Sequence, residues 1–182
     1  FTGAGLSQIG LVREAEHGTL FLDEIGVISP YVQVKLLRLL QNKEYRPLGD
    51  SQRHKTDIRI IAATNSDLQS LLDEGIFRED LFYRLNVVAI YVPPLRERRE
   101  DIPILAEHFT EKYAREYHKP IKGFTREAIR RLISYSWPGN IRELEHKVQQ
   151  AIVMSESAVI DVKAIQLGTS QSESEGSGLE YF

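Results

Sequence analysis

There is no cysteine in the 182 residues, which excludes disulfides and thiolate-ligated zinc and leaves the redox compartment open. The histidines are few and scattered: His17, His54, His108, His118 and His146 include no metal-ligand spacing such as H-E-x-x-H. No apolar run approaches the length of a membrane span, and no signal peptide is expected among these residues. Charge of one sign is also missing. The net charge is -3 and the sequence pI is about 6.0, so there is no general nucleic-acid footprint. No glycine is followed by lysine, so the phosphate-cradling pattern G-x-x-x-x-G-K-[ST] is absent. With 42% hydrophobic and 27% charged residues, the composition suits one soluble domain of ordinary size, or a domain and a half. The first residue is Phe1 rather than Met, as expected of a piece of something longer.

What is present begins with Gly18-Thr19-Leu20-Phe21-Leu22-Asp23-Glu24, a short apolar run ending in two adjacent carboxylates. Its length and its bounding glycine predict a strand buried on both faces of a parallel sheet. Ligands of open parallel sheets bind outside the carboxyl ends of the strands, where Asp23 and Glu24 would lie. An Asp there can hold Mg²⁺ and a following Glu can polarise an attacking water; the alternative is an acidic surface turn. Two further runs, 58–63 and 87–92, are predicted as strands. Ser29-Pro30 predicts a helix start, followed by an apolar stripe of Val32, Leu36, Leu39 and Leu40. Helical stretches are expected over about 67–73 and 79–85, and a turn or hairpin over 44–55. Strands alternating with helices imply a parallel α/β sheet.

After Pro93-Pro94 a dense charge run, 96–101, marks a boundary, and only helical patterns follow. Their stripes are Ile102, Leu105, Phe109 and Tyr113; then Ile129, Leu132 and Ile133 behind a Thr125 cap; then Ile141, Leu144, Val148 and Ile152. Three segments are therefore expected: an α/β part over 1–100, a small helical part over 101–167, and a Ser, Gly and Glu-rich linker or tail over 168–182.

Three more features carry candidate chemistry. The second strand ends in Thr64-Asn65, and an Asn at a carboxyl strand end can bond a terminal phosphate or a positioned water; an Asx-turn or cap is the alternative. Arg78 and Arg84 are six residues apart, a rotation of roughly 240° on a continuous helix. Either a helix starts after Arg78, with Glu79 and Asp80 in its first turn, or the two arginines have separate jobs. A guanidinium that reaches a γ-phosphate on a neighbouring subunit would be an arginine finger; the alternative is a pair of local salt bridges. Trp137-Pro138-Gly139-Asn140 predicts a helix start with Asn140 as N-cap, which points Arg142 out toward a cleft or simply into solvent.

GTLFLDE, AATN, FREDLFYRLNVV, PPLRERREDIP and WPGNIRELE, in this order and spacing, resemble the AAA+ domain of bacterial enhancer-binding proteins, the ATP-driven activators of the sigma-54 form of RNA polymerase. Phe1-Thr2-Gly3-Ala4 resembles the end of that family's GAFTGA loop. The resemblance implies an α/β fold, part of a P-loop AAA+ parallel sheet with flanking helices, followed by a small all-helical lid. It implies Asp23 and Glu24 as the Walker B pair, with Mg²⁺ at Asp23 and Glu24 as base. Asn65 matches sensor I, Arg78 and Arg84 match arginine fingers acting in trans, and Arg142 matches sensor II. Phe1, Thr2 and Gly3 match the contact with the sigma factor. ATP and Mg²⁺ are the implied substrate and ion. The implied partners are sigma-54 RNA polymerase, further copies in a ring, expected to be a hexamer, and enhancer DNA through a domain not present here; the implied location is the cytoplasm, with no membrane partner. The family's first strand, which carries the P-loop and is expected to lie between the strands matching 58–63 and 87–92, is not among these residues. The fragment alone is therefore expected to be inactive. A different AAA+ remodelling ATPase and a non-catalytic module of the same fold are the competing readings.

Overall fold

In the computed structural model, residues 10–47 and 49–167 are described. They divide into two units between Ile90 and Tyr91. The first contains α1 (Leu11–Glu14), β1 (Thr19–Leu22), a 3-10 turn (Ile25–Val27), α2 (Pro30–Asn42), β2 (Glu44–Tyr45), β3 (His54–Lys55), β4 (Arg59–Ala62), α3 (Leu68–Asp73) and α4 (Glu79–Leu85). β1 and β4 pair in parallel, with Leu20 opposite Ile60 and Leu22 opposite Ala62. The polar stretch after α2 forms the expected hairpin, with β2 antiparallel to β3.

Beneath the β1–β4 pair lies a core of Ile25, Leu36, Leu37, Leu39, Ile58, Phe77 and Leu81. Apolar packing of this kind supplies the main stabilisation of short elements, since helices and strands of this length are marginal alone. The buried stripe of α2 is rotated from the expected one. Gln33, Leu36, Leu37 and Leu39 are buried, whereas Val32 is 43% exposed. Tertiary packing selects the face, and it selects the one carrying Gln33.

Two expectations about strands are corrected. β1 is not buried on both faces: Leu20 and Leu22 pack against the core, while Phe21 between them is 58% exposed. Successive strand residues point to opposite sides, and the core covers one side only. The run 87–92 forms no strand, and Val87, Val88, Ile90, Tyr91 and Val92 are each 73–84% exposed. β-branched residues favour a pleated surface only where a neighbouring strand and a packed face receive them. Among the described residues no strand pairs with this run.

The second unit contains a 3-10 turn (Leu95–Glu97), α5 (Asp101–Glu116), β5 (Gly123–Phe124), α6 (Arg126–Ser134), α7 (Asn140–Met154), β6 (Val159–Ile160) and a 3-10 turn (Val162–Ala164). It is helical, as expected, apart from one small parallel pair, β5 with β6. The α6 N-cap is Thr125, whose hydroxyl accepts from Ala128 N–H at 3.2 Å. Leu95, Ile102, Ala106, Leu132, Trp137, Leu144, Val148, Ile152 and Ile160 are buried in one core. Trp137 is fully buried, and its indole N–H donates to the Leu132 carbonyl at 2.8 Å. The bond satisfies the one polar atom of that side chain, so its large apolar surface is buried without an orphaned donor.

Asn140 is not the N-cap of α7; Gly139 is. Asn140 is the first helical residue, at φ 51°, and its side-chain oxygen accepts from Leu95 N–H at 2.9 Å. Asn tolerates this left-handed backbone better than most residues. The side chain is thereby turned away from its own helix to hold the start of the 3-10 turn at Leu95.

Candidate functional site

Asp23 and Glu24 follow directly from β1, and Thr64-Asn65 follows β4 after Ala63. Because β1 and β4 are parallel and in register, both polar pairs lie at the same end of the sheet. Backbone bonds continue past the strands: Ala63 N–H donates to Leu22 O at 2.8 Å, and Ile25 N–H donates to Ala63 O at 3.0 Å. The two acids are bracketed by these bonds. Both side chains are exposed. Asp23 Oδ1 accepts from Glu24 N–H at 2.9 Å, and its other oxygen has no hydrogen-bond partner among the described residues.

Glu24 has a left-handed backbone, φ 53° and ψ 42°. A non-glycine residue there is uncommon and is held by its surroundings. The surroundings are the bond from Ile25 to Ala63 and the close approach of Gly26 to the segment after β4. A Cβ on Gly26 would lie 2.8 Å from Ser66 Cβ and 2.9 Å from the hydroxyl oxygens of Ser66 and Thr64. Thr64 Oγ1 in turn accepts from Ser66 N–H at 3.0 Å. Gly26→Ala is therefore expected to push these two segments apart. The expected destabilisation is about 1–3 kcal/mol, read as a lower midpoint in urea unfolding of the full-length protein. An unchanged midpoint would show that the turn yields freely.

Asp67 caps α3: its carboxylate accepts from Gln69 N–H at 3.0 Å and from the Ser70 hydroxyl at 2.8 Å. The Ser70 bond, then the Gln69 bond, hold the Asp67 carboxyl below its ordinary range. With Asp67 as the cap, Asn65 is free of that duty. The amide oxygen of Asn65 makes a single long contact, 3.4 Å, with the Ser66 hydroxyl.

The arginines separate as the first of the two sequence readings has it. α4 begins after Arg78, which is its N-cap, with Glu79 and Asp80 in the first turn and Arg84 in the last. Arg78 forms a forked pair with Asp80, at 3.0 and 2.7 Å, and this pairing lowers the Asp80 carboxyl from its ordinary value. Arg84 is exposed and has no ion-pair partner among the described residues. Arg142 lies in the second unit, exposed in the first turn of α7. Phe1, Thr2 and Gly3 lie outside the described residues.

Two residues near the site were not anticipated from the sequence. Gly26, two positions after the acids, carried no pattern that a turn glycine would not. Gln33 did carry a signal: it lies three and four positions before Leu36 and Leu37, a lone polar residue on an apolar face.

Among the described residues no group of histidine, aspartate and glutamate side chains is placed to form a metal site by itself. Mg²⁺ commonly takes one or two carboxylates and fills its shell with water and substrate phosphates. Asp23, exposed with one uncommitted oxygen, fits that role. No helix among the described residues is long and apolar enough to cross a membrane.

The family described as "Sigma-54 interaction domain" matches residues 1–91, and that described as "AAA+ ATPase lid domain" matches 96–180. The transcriptional regulatory protein ZraR of Escherichia coli K12 is 52% identical over 167 residues, covering 92% of this chain and 38% of ZraR. The nitrogen fixation protein AnfA of Azotobacter vinelandii is 49% identical, covering 88% of this chain and 30% of AnfA. The crystal structure of NtrX from Brucella abortus in complex with ATP superposes with a TM-score of 0.82 at 35% identity, over 93% of this chain and 40% of NtrX. The chain thus spans about two fifths or less of the length of these relatives.

Proposed function

Because the chain belongs to the sigma-54 interaction domain family, we propose that the full-length protein is an ATPase of bacterial transcription activation. ATP hydrolysed between neighbouring subunits of a ring, a hexamer, drives remodelling of the sigma-54 form of RNA polymerase at promoters. The observation that carries this reading is the placement of Asp23-Glu24 and Thr64-Asn65 at one end of a parallel strand pair. Carboxylates and a neutral amide at a carboxyl sheet edge suit the Mg²⁺-holding and water-positioning roles of phosphoanhydride hydrolysis.

In this reading Glu24 takes the proton of the attacking water, and Asn65 orients that water or the terminal phosphate without adding negative charge. Asp23 would hold Mg²⁺, which when bound neutralises charge on the phosphates. Arg84 and Arg78 reach the nucleotide of the adjacent subunit, and Arg142 contacts it from the lid. The first unit, up to Ile90, carries the α/β part, the helical unit from Tyr91 to about 167 serves as the lid, and 168–182 as a linker. Phe1, Thr2 and Gly3 engage the sigma factor, and enhancer DNA is bound by a separate domain. The protein works in the cytoplasm. The forked pair with Asp80 favours Arg84 over Arg78 as the principal finger, since Arg78 must first release its partner.

Phosphates must also be cradled, and the glycine-lysine pattern that does so is absent from these residues. The test is a steady-state ATPase assay on both forms. The full-length protein is expected to turn over ATP and to open a sigma-54 promoter only when ATP is hydrolysed. The 182 residues alone are expected to show no turnover above a Glu24→Gln control. Turnover by the fragment, or promoter opening with a non-hydrolysable ATP analogue, would contradict the reading.

A further inference from the structure

Gln33 is only 1% exposed, in a helix face otherwise apolar. A buried primary amide is costly unless its groups are bonded. Here both kinds are. The Gln33 amide nitrogen donates to Ile28 O at 3.2 Å and to Ile76 O at 3.0 Å. Its oxygen accepts from Arg78 N–H at 2.9 Å. One side chain therefore joins three segments: the residue following the 3-10 turn behind Glu24, the loop after α3, and the N-cap of α4. Phe77, between the two bonded residues of that loop, is 2% exposed in the core, and Leu81, one turn into α4, is fully buried.

Backbone bonds at 76 and 78 fix where α4 begins. The start of a helix sets the rotation of every residue on it, so it sets the direction of Arg84 as well as Arg78. We infer that Gln33 is a positioning residue for the arginines of α4, holding them in register with the acid-bearing end of β1 within the same subunit. The inference rests on the proposed action of these arginines in trans. It does not make Gln33 a catalytic residue, since the side chain is buried and spent on backbone groups.

The alternatives are a role on the acid side, through Ile28, and a purely structural role. Complementation in the full-length protein separates the three. Gln33→Ala is expected to lower kcat by about ten- to a hundredfold, the scale of a roughly 1 Å misplacement, with KM for ATP little changed. Mixed with Glu24→Gln subunits, it is expected to recover activity, because intact acids then face intact arginines. Mixed with Arg84→Ala subunits, it is expected not to recover, because both lack a properly placed arginine. Gln33→Met, similar in volume, serves in the same mixtures if the alanine variant loses its native circular dichroism. The control pair is Arg84→Ala with Glu24→Gln. No recovery in that pair overturns the trans reading on which this rests. Recovery in the control, together with Gln33 variants that recover with Arg84→Ala instead, or with neither partner, overturns the role of Gln33 alone. Parent-like kcat in both Gln33 variants would overturn it as well.

Discussion

Glu24→Gln in the full-length protein is expected to slow ATP hydrolysis by about 10²–10⁴-fold, the usual contribution of a positioned general base, while ATP binding stays close to that of the parent. The substitution keeps the size and shape of the side chain and removes its capacity to take a proton. Glu24 accepts no structural hydrogen bond among the described residues and caps no helix with its side chain, so the fold does not depend on its charge. Its left-handed backbone is held by neighbours, not by the carboxylate. The effect should therefore fall on kcat and leave the unfolding midpoint in place. Asp23→Ala should differ in kind: it removes the acceptor for Glu24 N–H and weakens handling of the Mg²⁺-nucleotide. Titration with a fluorescent ATP analogue and single-turnover hydrolysis measure the two steps separately. Parent-like hydrolysis by Glu24→Gln would remove Glu24 from the chemistry.

The acid pair, the Thr64-Asn65 pair and the helical character beyond residue 101 were legible because each rests on local pattern. An apolar run ending in polar residues, or a stripe at helical spacing, is written into a few neighbouring residues. What the chain could not disclose depended on partners distant in sequence. The run 87–92 has the composition of a strand, yet a strand exists only where another backbone pairs with it, and none does among the described residues. Asn140 has the chemistry of an N-cap, but Leu95 N–H, 45 positions away, takes its oxygen. Gln33 is the same lesson at the site itself. Its bonds to Ile76 and Arg78 span 43 and 45 positions, and no periodicity reports them. The arginines were half legible: the acids at 79 and 80 predicted the start of α4, whereas the forked Arg78–Asp80 pair distinguishes two arginines that spacing alone treats alike.

That distinction sets the last and largest expected effect. Arg84→Ala in the full-length protein is expected to reduce ATP turnover by about 10³–10⁵-fold, the range of an arginine finger. The competing role, an exposed ion pair, would change stability little and turnover hardly at all. No acid partners Arg84 among the described residues, so its loss should leave the fold intact. Arg78→Ala also frees Asp80 and should therefore show a smaller loss of turnover joined to some disturbance of the α4 start. Action in trans makes a further demand. If both act in one ring, a ring built only from Arg84→Ala subunits is expected to be nearly inactive, and so is one built only from Glu24→Gln subunits. A mixed ring holds some junctions in which an Arg84→Ala subunit supplies Glu24 and its neighbour supplies Arg84. Partial recovery of ATPase activity on mixing is expected, with mixed rings verified by native mass spectrometry. Mixed rings without recovery would place the arginine and the acid in the same subunit's site, and full activity in Arg84→Ala alone would reduce that residue to a solvated charge at the end of α4.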